Sequence, residues 1–557
     1  MNFKNLLLII ALFITLHTSA QISKSQYQQI DSLFIEWNKP NHPGGVIGIM
    51  KNGKTVFSKA YGLASLEYLV PNSTGTLFNT ASVSKQFTAM GIVILHQQGK
   101  LSVDDDIRKH LPELPDFGET ITISHLLHHT SGLRSLHAML GLAGWRSDDA
   151  RTNEDLNRFV LNQRDLNFKP GDEYLYCNTG YMLMLNIIEK ITGEEFSIWM
   201  ENSVFEPLGM TNTYVENNYS RVVPDNATSY HHKNNNQFER ATEYWGYTGS
   251  GNMHSNTSDL LKWLKNFYDP QPNWEAHFKM LQTLDKFNNG EDNNYAYGVV
   301  LGEFNGYKKI QHGGSIGGFR SYIGTYPDEK LNIVVLTNFS SSSPSSKANQ
   351  ISGILLKKAT TNNTGKEAVS KVKTIKLSSD QLKKHEASYW NDKNNYVRKI
   401  YLKDDTLRYF RSENNESPLA PIGKNEFLML SDNEDVKVKF ELENNGEKTM
   451  LLTVDNKSPI QLKSFDPISL KEDLTSYTGE FYSPELETTY VISVVNKKLS
   501  CHHSRHGDFE LRILKKDVLE GQWPFNIAKF SRDKNGVVSG IYVTNGRVRN
   551  LWFEKKK

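Results

Sequence analysis

The sequence predicts a first domain of α/β (α+β) class, with an antiparallel sheet flanked by helices, followed by two antiparallel β-barrel modules. Three observations predict this fold class. Strand-like and helix-like stretches alternate in the first part of the chain, a polar stretch follows Lys357, and only short strand patterns come after it. With 557 residues, 38% hydrophobic and 23% charged, the chain is also too long for one core of typical size.

A strand hairpin opens the first domain. The runs Val46–Met50 and Thr55–Tyr61 are joined at Asn52-Gly53, which is a strong hairpin signal. A mostly apolar stretch then begins at Ser82 and ends near Gly99, and it predicts a buried helix.

More helices and strands follow in the same domain. Helix patterns cover Tyr181–Ile191 and Ser258–Phe267, and strand patterns cover Tyr322–Tyr326 and Leu331–Asn338. Strands before and after the helices predict one antiparallel sheet with helices packed against it.

Composition and a weak repeat predict how the chain divides. The polar stretch after Lys357 is typical of a linker. Beyond it, pairs such as Leu407 with Leu499 and Leu419 with Leu511 recur at one spacing, which indicates a diverged duplication, although chance similarity between β-rich segments is the alternative. The predicted parts are a signal peptide at 1–20, the first domain at 21–358, a linker at 359–378, and β-barrel modules at 379–465 and 466–557.

The segment Met1–Ala20 has the pattern of a cleavable secretory signal. Lys4 precedes an apolar run from Leu6 to Leu16, and small residues lead up to Ala20. The run is too short to span a bilayer comfortably, so a short buried helix is the alternative. We expect cleavage near Ala20, an exported protein that is periplasmic or secreted, and no membrane span in the mature form.

Charge and motif content bear on partners and cofactors. Lys and Arg number 64 against 62 Asp and Glu, so no large field favours nucleic acid. Zinc-protease, Walker and dinucleotide motifs are missing, so we expect no metal and no organic cofactor. Cys177 and Cys501 lie in different predicted domains, so we expect no disulfide between them. The expected partner is a small-molecule or peptide substrate, and the sequence leaves the oligomeric state open.

Ser82-Val83-Ser84-Lys85 is the first candidate catalytic element. On a helix, residues three apart share a face, so the Lys85 amine would lie beside the Ser82 hydroxyl. A serine hydroxyl needs such a neighbouring base to act as a nucleophile. The spacing alone is not specific, because Ser370-x-x-Lys373 and Ser531-x-x-Lys534 share it.

Tyr176-Cys177-Asn178 is the second element. In an extended backbone, residues two apart point the same way, so the phenol and the carboxamide can project into one cleft. A phenol beside a cation can shuttle a proton, and an Asn can bind a substrate amide. Because Tyr389-Trp390-Asn391 has the same form, a plain loop tyrosine is the alternative.

His312-Gly313-Gly314-Ser315 is the third element, and strand patterns flank it. Glycines let a strand edge lie close to a ligand, where backbone N–H groups can reach a developing oxyanion. His312 would face the cleft as a donor or a titratable group.

Two other histidine groups invite a functional reading. We expect His128-His129 to end a helix with imidazoles hydrogen-bonded to the backbone. The group His502-His503-x-x-His506 has no carboxylate or Cys at zinc-like spacing, which favours a solvated loop.

Together, the three elements resemble the class C β-lactamase and penicillin-binding-protein-like serine hydrolases, a family that includes D-alanyl-D-alanine carboxypeptidases, D-aminopeptidases and related esterases. The resemblance covers residues 43–338 and implies a β-lactamase/DD-peptidase-like fold for the first domain. The stretches that carry it are Asn79–Lys85, Ile123–Leu133, Phe168–Tyr181 and His312–Phe319.

The resemblance implies a role for each matched position. Ser82 would attack the substrate carbonyl, Lys85 and Tyr176 would share proton transfer, and His312 would belong to the same catalytic set. Substrate would be bound by Asn178, which contacts its amide, and by the strand residues Gly313, Gly314 and Ser315. The oxyanion hole would consist of the N–H groups of Ser82 and Ser315.

His312 stands where, by the same resemblance, true β-lactamases carry a Lys that helps to hold a substrate carboxylate, so it indicates against β-lactam hydrolysis. The His form and the lipocalin-like β-modules are similar to the D-aminopeptidase branch. We expect an exported serine hydrolase that forms an acyl-enzyme, most simply a peptidase or amidase on D-amino-acid or cell-wall-like peptides. A carboxylesterase on the same scaffold is the alternative, and a true β-lactamase or a non-catalytic binding protein ranks lower.

Overall fold

A computed structural model describes residues 22–233, 237–356, 374–412, 415–430, 436–442, 447–454, 458–466 and 474–557. They form two compact units. One holds the described residues of Met1–Leu136 and Arg146–Thr361, and the other holds those of His137–Trp145 and Asn362–Lys557. The predicted signal peptide at 1–20 lies outside the described residues, as do most of the predicted linker at 359–378 and the pair Ser370 and Lys373.

The strands of the first unit are β1 Gly45–Lys51, β2 Lys54–Tyr61, β3 Leu63–Ser65, β4 Val70–Pro71, β5 Phe78–Asn79, β6 Tyr214–Val215, β7 Tyr230–His232, β8 Phe238–Arg240, β9 Met253–Ser255, β10 Asp285–Lys286, β11 Asp292–Asn293, β12 Val300–Phe304, β13 Tyr307–Ile316, β14 Phe319–Tyr326 and β15 Leu331–Thr337. Six of them form an antiparallel sheet in the order β12-β13-β14-β15-β1-β2. The predicted hairpin is therefore confirmed as β1 and β2, and β1 pairs with β15 from the far end of the unit.

The helices are α1 Lys24–Ser32, α2 Lys85–Gln97, α3 Ile107–His110, α4 Ile123–Leu127, α5 Leu136–Leu142, α6 Asn153–Asn162, α7 Asn178–Thr192, α8 Phe196–Met200, α9 Thr257–Lys265, α10 Glu275–Met280, α11 Pro344–Leu355 and, after residue 378, α12 Ser379–Lys383. Single turns of 3₁₀ helix occur at Ile35–Asn38, Ala81–Ser84, Pro327–Glu329 and Leu474–Tyr477, and a π turn occurs at Glu201–Phe205. The helices predicted from Ser82, over Tyr181–Ile191 and over Ser258–Phe267 correspond to the turn Ala81–Ser84 with α2, to α7 and to α9.

Helices cover both faces of the six-stranded sheet. On one face, Ile47 and Ile49 of β1 belong to a buried cluster with Ile30 and with Ile351 of α11. On the other face, a side chain at Gly48 would meet Thr257 of α9 at 2.9 Å. Because both faces are covered, β1 and β15 are almost continuously apolar and buried, whereas an exposed strand would alternate. None of the helices in the described part of the chain is long and apolar enough to cross a membrane.

Helix α2 carries the first motif into the centre of the unit. Every residue from Lys85 to Leu95 is buried. It crosses α7 at Gly91, where a Cβ would lie only 2.7 Å from Ile188 Cδ1. The absent side chain lets the two helices approach closely, which brings the motifs at their N-terminal ends together.

The second unit contains two closed eight-stranded barrels. The first consists of β16 Ala387–Asn391, β17 Tyr396–Lys403, β18 Thr406–Ser412, β19 Asn415–Pro421, β20 Glu426–Met429, β21 Val436–Leu442, β22 Lys448–Val454 and β23 Ile460–Phe465. The second consists of β24 Gly479–Ser483, β25 Thr488–Val495, β26 Lys498–His503, β27 Gly507–Lys515, β28 Val518–Glu520, β29 Ile527–Arg532, β30 Val538–Thr544 and β31 Leu551–Lys555. The predicted fold class is thereby confirmed.

The predicted duplication corresponds to equivalent strands of the two barrels. Leu407 and Leu499 lie on the third strand of each barrel, and Leu419 and Leu511 lie on the fourth. All four side chains are buried. The repeated residues are therefore core positions of the same architecture.

Residues His137–Trp145, within the predicted first domain, belong to the second unit. Tyr490 Oη donates a hydrogen bond to Leu142 O at 2.9 Å, and His506 Nε2 lies 2.7 Å from Gly141 O. The solvated loop predicted for His502–His506 is wrong at His503, which lies on β26, is 1% exposed and contacts Thr488 Oγ1 at 2.8 Å.

Candidate active site

Ser82 lies in the turn Ala81–Ser84 that leads into α2. The residue before it, Ala81, has φ 51°, a left-handed conformation that is costly for a side chain with a Cβ. Hydrogen bonds hold this turn: Ala81 N donates to Asn79 Oδ1 at 2.9 Å, and Ser84 Oγ donates to Ala81 O at 2.6 Å. Ser82 stays partly exposed, while Ala81, Val83 and Ser84 are buried.

Lys85 is the first residue of α2, and its side chain reaches back to Ser82. Its Nζ lies 3.3 Å from Ser82 Oγ and donates to Ser250 O at 2.6 Å. Lys85 is 0% exposed. The Nζ also lies 4.8 Å from the ring centroid of Tyr176 and 5.5 Å from that of Tyr181, where the ring faces attract a cation. One carbonyl and two aromatic rings therefore aim Lys85 at the serine hydroxyl.

Tyr176 and Asn178 lie beside this pair, in the segment that begins α7. The ring centroids of His129 and Tyr176 lie 4.2 Å apart. The Nδ1 of His129 accepts a hydrogen bond from Cys177 N at 3.1 Å. Asn178 is 7% exposed, and its Oδ1 has no hydrogen-bond partner among the described residues. A buried amide oxygen in this state is costly unless a ligand pairs with it.

The strand β13 places the third element against the turn that carries Ser82. A Cβ on Gly314 would lie 2.3 Å from Thr80 O and 2.9 Å from the Cβ of Ala81. Glycine is therefore needed at position 314 because the strand packs closely against Thr80 and Ala81 of the protein itself. Strand β12 pairs with β13 only as far as Gln311, so from His312 to Ile316 the edge of β13 is not covered by β12. Gly313 and Ser315 are exposed on this stretch.

His312 is almost fully buried, and both of its ring nitrogens have partners. Nδ1 lies 2.6 Å from Gly313 O, and Nε2 lies 3.0 Å from Tyr295 Oη. Burial, together with the nearby charge of Lys85, lowers the pKa of His312 to about 4. The imidazole is therefore neutral at neutral pH.

Tyr295 is a residue that sequence reasoning missed. It precedes β12 and packs against the rings of His129, Tyr174 and Tyr176. The run Tyr295-Ala296-Tyr297-Gly298 was the available signal, since Gly298 has φ 71° and a Cβ there would lie 2.6 Å from Gln86 N of α2. The run therefore lies directly against the first turn of α2, next to Lys85.

The paired histidines bond to the main chain, as the sequence predicts. His128 Nδ1 lies 2.7 Å from Tyr295 O, and His129 accepts from Cys177 N. Cys177 and Cys501 are both buried free thiols, and they belong to different units.

Segments that lie far apart in the chain meet at this site. Lys85 contacts Ser82 and the ring of Tyr176, and the Tyr176 ring centroid lies 6.3 Å from that of His312. The predicted substrate-binding residues come from the same two elements: Asn178 begins α7, and Gly313, Gly314 and Ser315 lie near the end of β13. A hydroxyl, an amine, a phenol and an open strand edge together are what acyl transfer through a serine requires.

Comparison with known proteins agrees with this geometry. Residues 30–354 match the family model described as beta-lactamase. Protein flp of Staphylococcus aureus (strain MRSA252) is 32% identical over 338 residues, which are 58% of this chain and 64% of that protein. The chain therefore spans slightly less than two thirds of the length of that relative.

Two further similarities extend the comparison. A D-aminopeptidase of Gluconobacter oxydans (strain 621H) is 26% identical over 313 residues, covering 56% of this chain and 59% of that protein. The octameric penicillin-binding protein homologue from Pyrococcus abyssi superposes with a TM-score of 0.54 at 27% identity, covering 78% of this chain and 99% of that one. With more than half of its length matched by the family model, this chain belongs to the beta-lactamase family of serine hydrolases.

Proposed function

We propose that the protein is an exported serine amidase or peptidase that acts on D-amino-acid or cell-wall-like peptides through an acyl-enzyme on Ser82. The observation that carries this proposal is the buried Lys85 amine, 3.3 Å from Ser82 Oγ and held there by Ser250 O. Export is proposed from the signal-like pattern of Met1–Ala20.

Acylation begins with attack of Ser82 Oγ on the substrate carbonyl carbon. The hydroxyl proton passes to Lys85 in its amine form, with the phenol of Tyr176 next in line. The carbonyl oxygen becomes an oxyanion, which the N–H groups of Ser82 and Ser315 stabilise. The uncovered edge of β13 supports this role, because its N–H groups are not used by β12.

Collapse of the tetrahedral intermediate breaks the bond to the leaving group. An amine leaves only when it gains a proton, which Tyr176 or Lys85 supplies. Water then attacks the acyl-enzyme, gives its proton to the same pair, and releases Ser82 with its hydroxyl proton restored. The unpaired Oδ1 of Asn178 is placed to accept a hydrogen bond from a substrate amide N–H.

Two observations support an amide substrate of the D-amino-acid type over a β-lactam. His312 supplies no cation at neutral pH for the carboxylate of a β-lactam, because burial keeps the pKa of its imidazole low. One relative of this chain is a D-aminopeptidase.

The test is a substrate panel offered to purified protein: D- and L-aminoacyl anilides, nitrophenyl esters and a chromogenic cephalosporin. We expect D-selective anilide cleavage that falls at least about 10³-fold in Ser82→Ala, since the nucleophile is lost. Ser531→Ala is the matched control, since Ser531 stands in the same Ser-x-x-Lys spacing on a barrel strand, and it should keep full activity.

The panel also separates the alternatives. Ester cleavage without anilide cleavage would replace the amidase proposal by a carboxylesterase. Equal turnover by wild type and Ser82→Ala would show that Ser82 is not the nucleophile. A mass increase on Ser82 after treatment with a fluorophosphonate reports the acyl-enzyme chemistry independently of the choice of substrate.

A further inference from the structure

One segment of the first unit, residues 250–253, lies along the turn that carries Ser82. Met253 O accepts hydrogen bonds from Thr80 N at 2.8 Å and from Thr80 Oγ1 at 2.9 Å. Met253 N donates to Ser84 Oγ at 3.1 Å. The turn is therefore bonded to this segment both before and after Ser82.

Asn252 connects the same segment to the turn through its side chain. Asn79 Nδ2 donates to Asn252 Oδ1 at 2.8 Å, and Asn79 Oδ1 accepts from Ala81 N at 2.9 Å. Asn252 is 3% exposed and Asn79 is 2% exposed, so water does not compete for these bonds. Two consecutive hydrogen bonds thus lead from Asn252 to the backbone of Ala81.

The groups around the two amides fix how each amide is turned. Asn252 Nδ2 donates to Glu216 O and to Trp245 O, both at 2.6 Å, and a carbonyl oxygen only accepts. The Oδ1 of Asn252 must then face Asn79, and it requires the Nδ2 of Asn79 opposite it. The Oδ1 of Asn79 is left for the N–H of Ala81.

The bond to Ala81 N stabilises a backbone conformation that is otherwise costly. Ala81 has φ 51°, and an asparagine that accepts from the N–H two residues later forms an Asx turn, which offsets that cost. If the amide of Asn79 were reversed, its Nδ2 would face the Ala81 N–H, and two donors would oppose each other. Because Ser82 follows Ala81 directly, the directions of its hydroxyl and of its N–H depend on this turn.

We propose, on the basis of the proposed function, that Asn252 is a positioning residue for the acylation of Ser82. By fixing the amide of Asn79, it keeps the turn in the conformation that directs the Ser82 hydroxyl at the substrate carbonyl and the Ser82 N–H at the oxyanion. Asn252 itself has φ 67°, a left-handed conformation that Asn adopts more readily than most residues. Its role concerns the acylation step, so its loss affects kcat more than KM.

Asn252→Gly tests this role, because glycine fits a φ of 67° and only the amide is lost. We expect the reaction of Ser82 with a fluorophosphonate to slow roughly tenfold. For a D-aminoacyl anilide, kcat should fall by a similar factor while KM changes by less than about twofold. Intact mass followed over time and steady-state kinetics measure these changes. Labelling of Asn252→Gly at the wild-type rate would overturn the proposal.

A second substitution separates positioning from a general loss of stability. A carboxylate has two equivalent acceptor oxygens, so Asn79→Asp added to Asn252→Gly can accept from Ala81 N whichever way it is turned. We expect the double variant to label at least about threefold faster than Asn252→Gly, although a buried carboxylate without a cation lowers its melting temperature. If it labelled no faster, the orientation of Asn79 would not be what Asn252 controls.

Asn266→Gly is the matched control. Asn266 is also 3% exposed and bonds main-chain groups on both sides, Gln271 N at 2.8 Å and Lys262 O at 2.9 Å, but it lies just after the end of α9. It should label at the wild-type rate with a lowered melting temperature. Equal slowing in Asn266→Gly and Asn252→Gly would show that the loss of any buried Asn has this effect, and the proposal would be wrong.

If Asn252→Gly does not fold, Asn252→Asp decides, since it keeps an oxygen for Asn79 Nδ2. We expect its labelling rate to stay within about threefold of wild type, and slowing of about tenfold or more would overturn the proposal. Wild type that reacts at Ser82 but cleaves no D-aminoacyl anilide would contradict the proposed substrate, and the labelling rates would still decide the role of Asn252. Wild type that does not react at Ser82 would overturn both proposals.

Discussion

The chain contains the pattern Tyr-x-Asn twice, and the two copies have different surroundings. In the first barrel, Tyr389 is 0% exposed on β16, and its hydroxyl donates to His385 O at 2.9 Å. Asn391 Nδ2 donates to Gln461 O at 3.0 Å. In the first unit, Tyr176 faces the Lys85 amine and Asn178 keeps an unpaired Oδ1. In the barrel copy both polar side chains bond to main-chain carbonyls, whereas in the first unit the tyrosine ring contacts the Lys85 amine and the Asn178 Oδ1 has no hydrogen-bond partner among the described residues.

The two described Ser-x-x-Lys pairs differ in the same way. Ser531 lies on β29, and Lys534 follows in an exposed turn. Ser82 and Lys85 lie at a helix start, where a spacing of three puts both side chains on one face, as a strand does not. The comparison shows that these short patterns acquire chemical meaning only from the backbone that carries them.

Replacing the lysine of each Ser-x-x-Lys pair should give the largest difference, measured as the rate at which Ser82 reacts. We expect Lys85→Met to slow the reaction of Ser82 with a fluorophosphonate on the order of 10³-fold, because the hydroxyl loses its proton acceptor. Lys534→Met should react at the wild-type rate. The rate of labelling followed by intact mass measures both. A comparable slowing in both variants would remove the distinction between the two lysines.

Replacing the two tyrosines should separate catalysis from stability. Tyr176→Phe should lower kcat roughly 10²-fold with the melting temperature nearly unchanged, because it removes a proton-transfer group. Tyr389→Phe should do the reverse, costing about 1 kcal/mol of unfolding free energy for the lost bond to His385 O, with kcat unchanged. Kinetics and denaturant unfolding on both variants check this, and loss of kcat in Tyr389→Phe would contradict it.

The smallest expected difference, in kcat/KM, is between alanine substitutions at two glycines of the neighbouring strands β12 and β13. Gly314→Ala puts a methyl group where Thr80 O lies 2.3 Å away, so the turn that carries Ser82 must shift, and we expect roughly a tenfold loss of kcat/KM. Gly302→Ala on β12 is the control, because its added Cβ meets no atom within 4 Å among the described residues. Equal kcat/KM in the two variants would mean that the close approach at Gly314 does not matter.

Local patterns were sufficient for much of this structure. The hairpin at Asn52-Gly53 and the buried helix after Ser82 have short-range signatures of turn residues and hydrophobic periodicity. The duplication was visible because Leu407 and Leu499 occupy equivalent core positions, which constrain residue type. The three candidate elements could likewise be found, since each has a distinctive composition within a few residues.

Local patterns could not predict contacts between parts of the chain that are distant in the sequence. No periodicity indicates that Tyr295 bonds to His312, or that Ser250 O holds Lys85, because each partner comes from another element. The same holds for His137–Trp145, whose membership of the second unit depends on hydrogen bonds such as that from Tyr490 to Leu142 O. Residue types and local spacing are enough to predict a candidate nucleophile, but the charge state and orientation of its neighbours follow from burial and long-range hydrogen bonds, which exist only once the chain is folded.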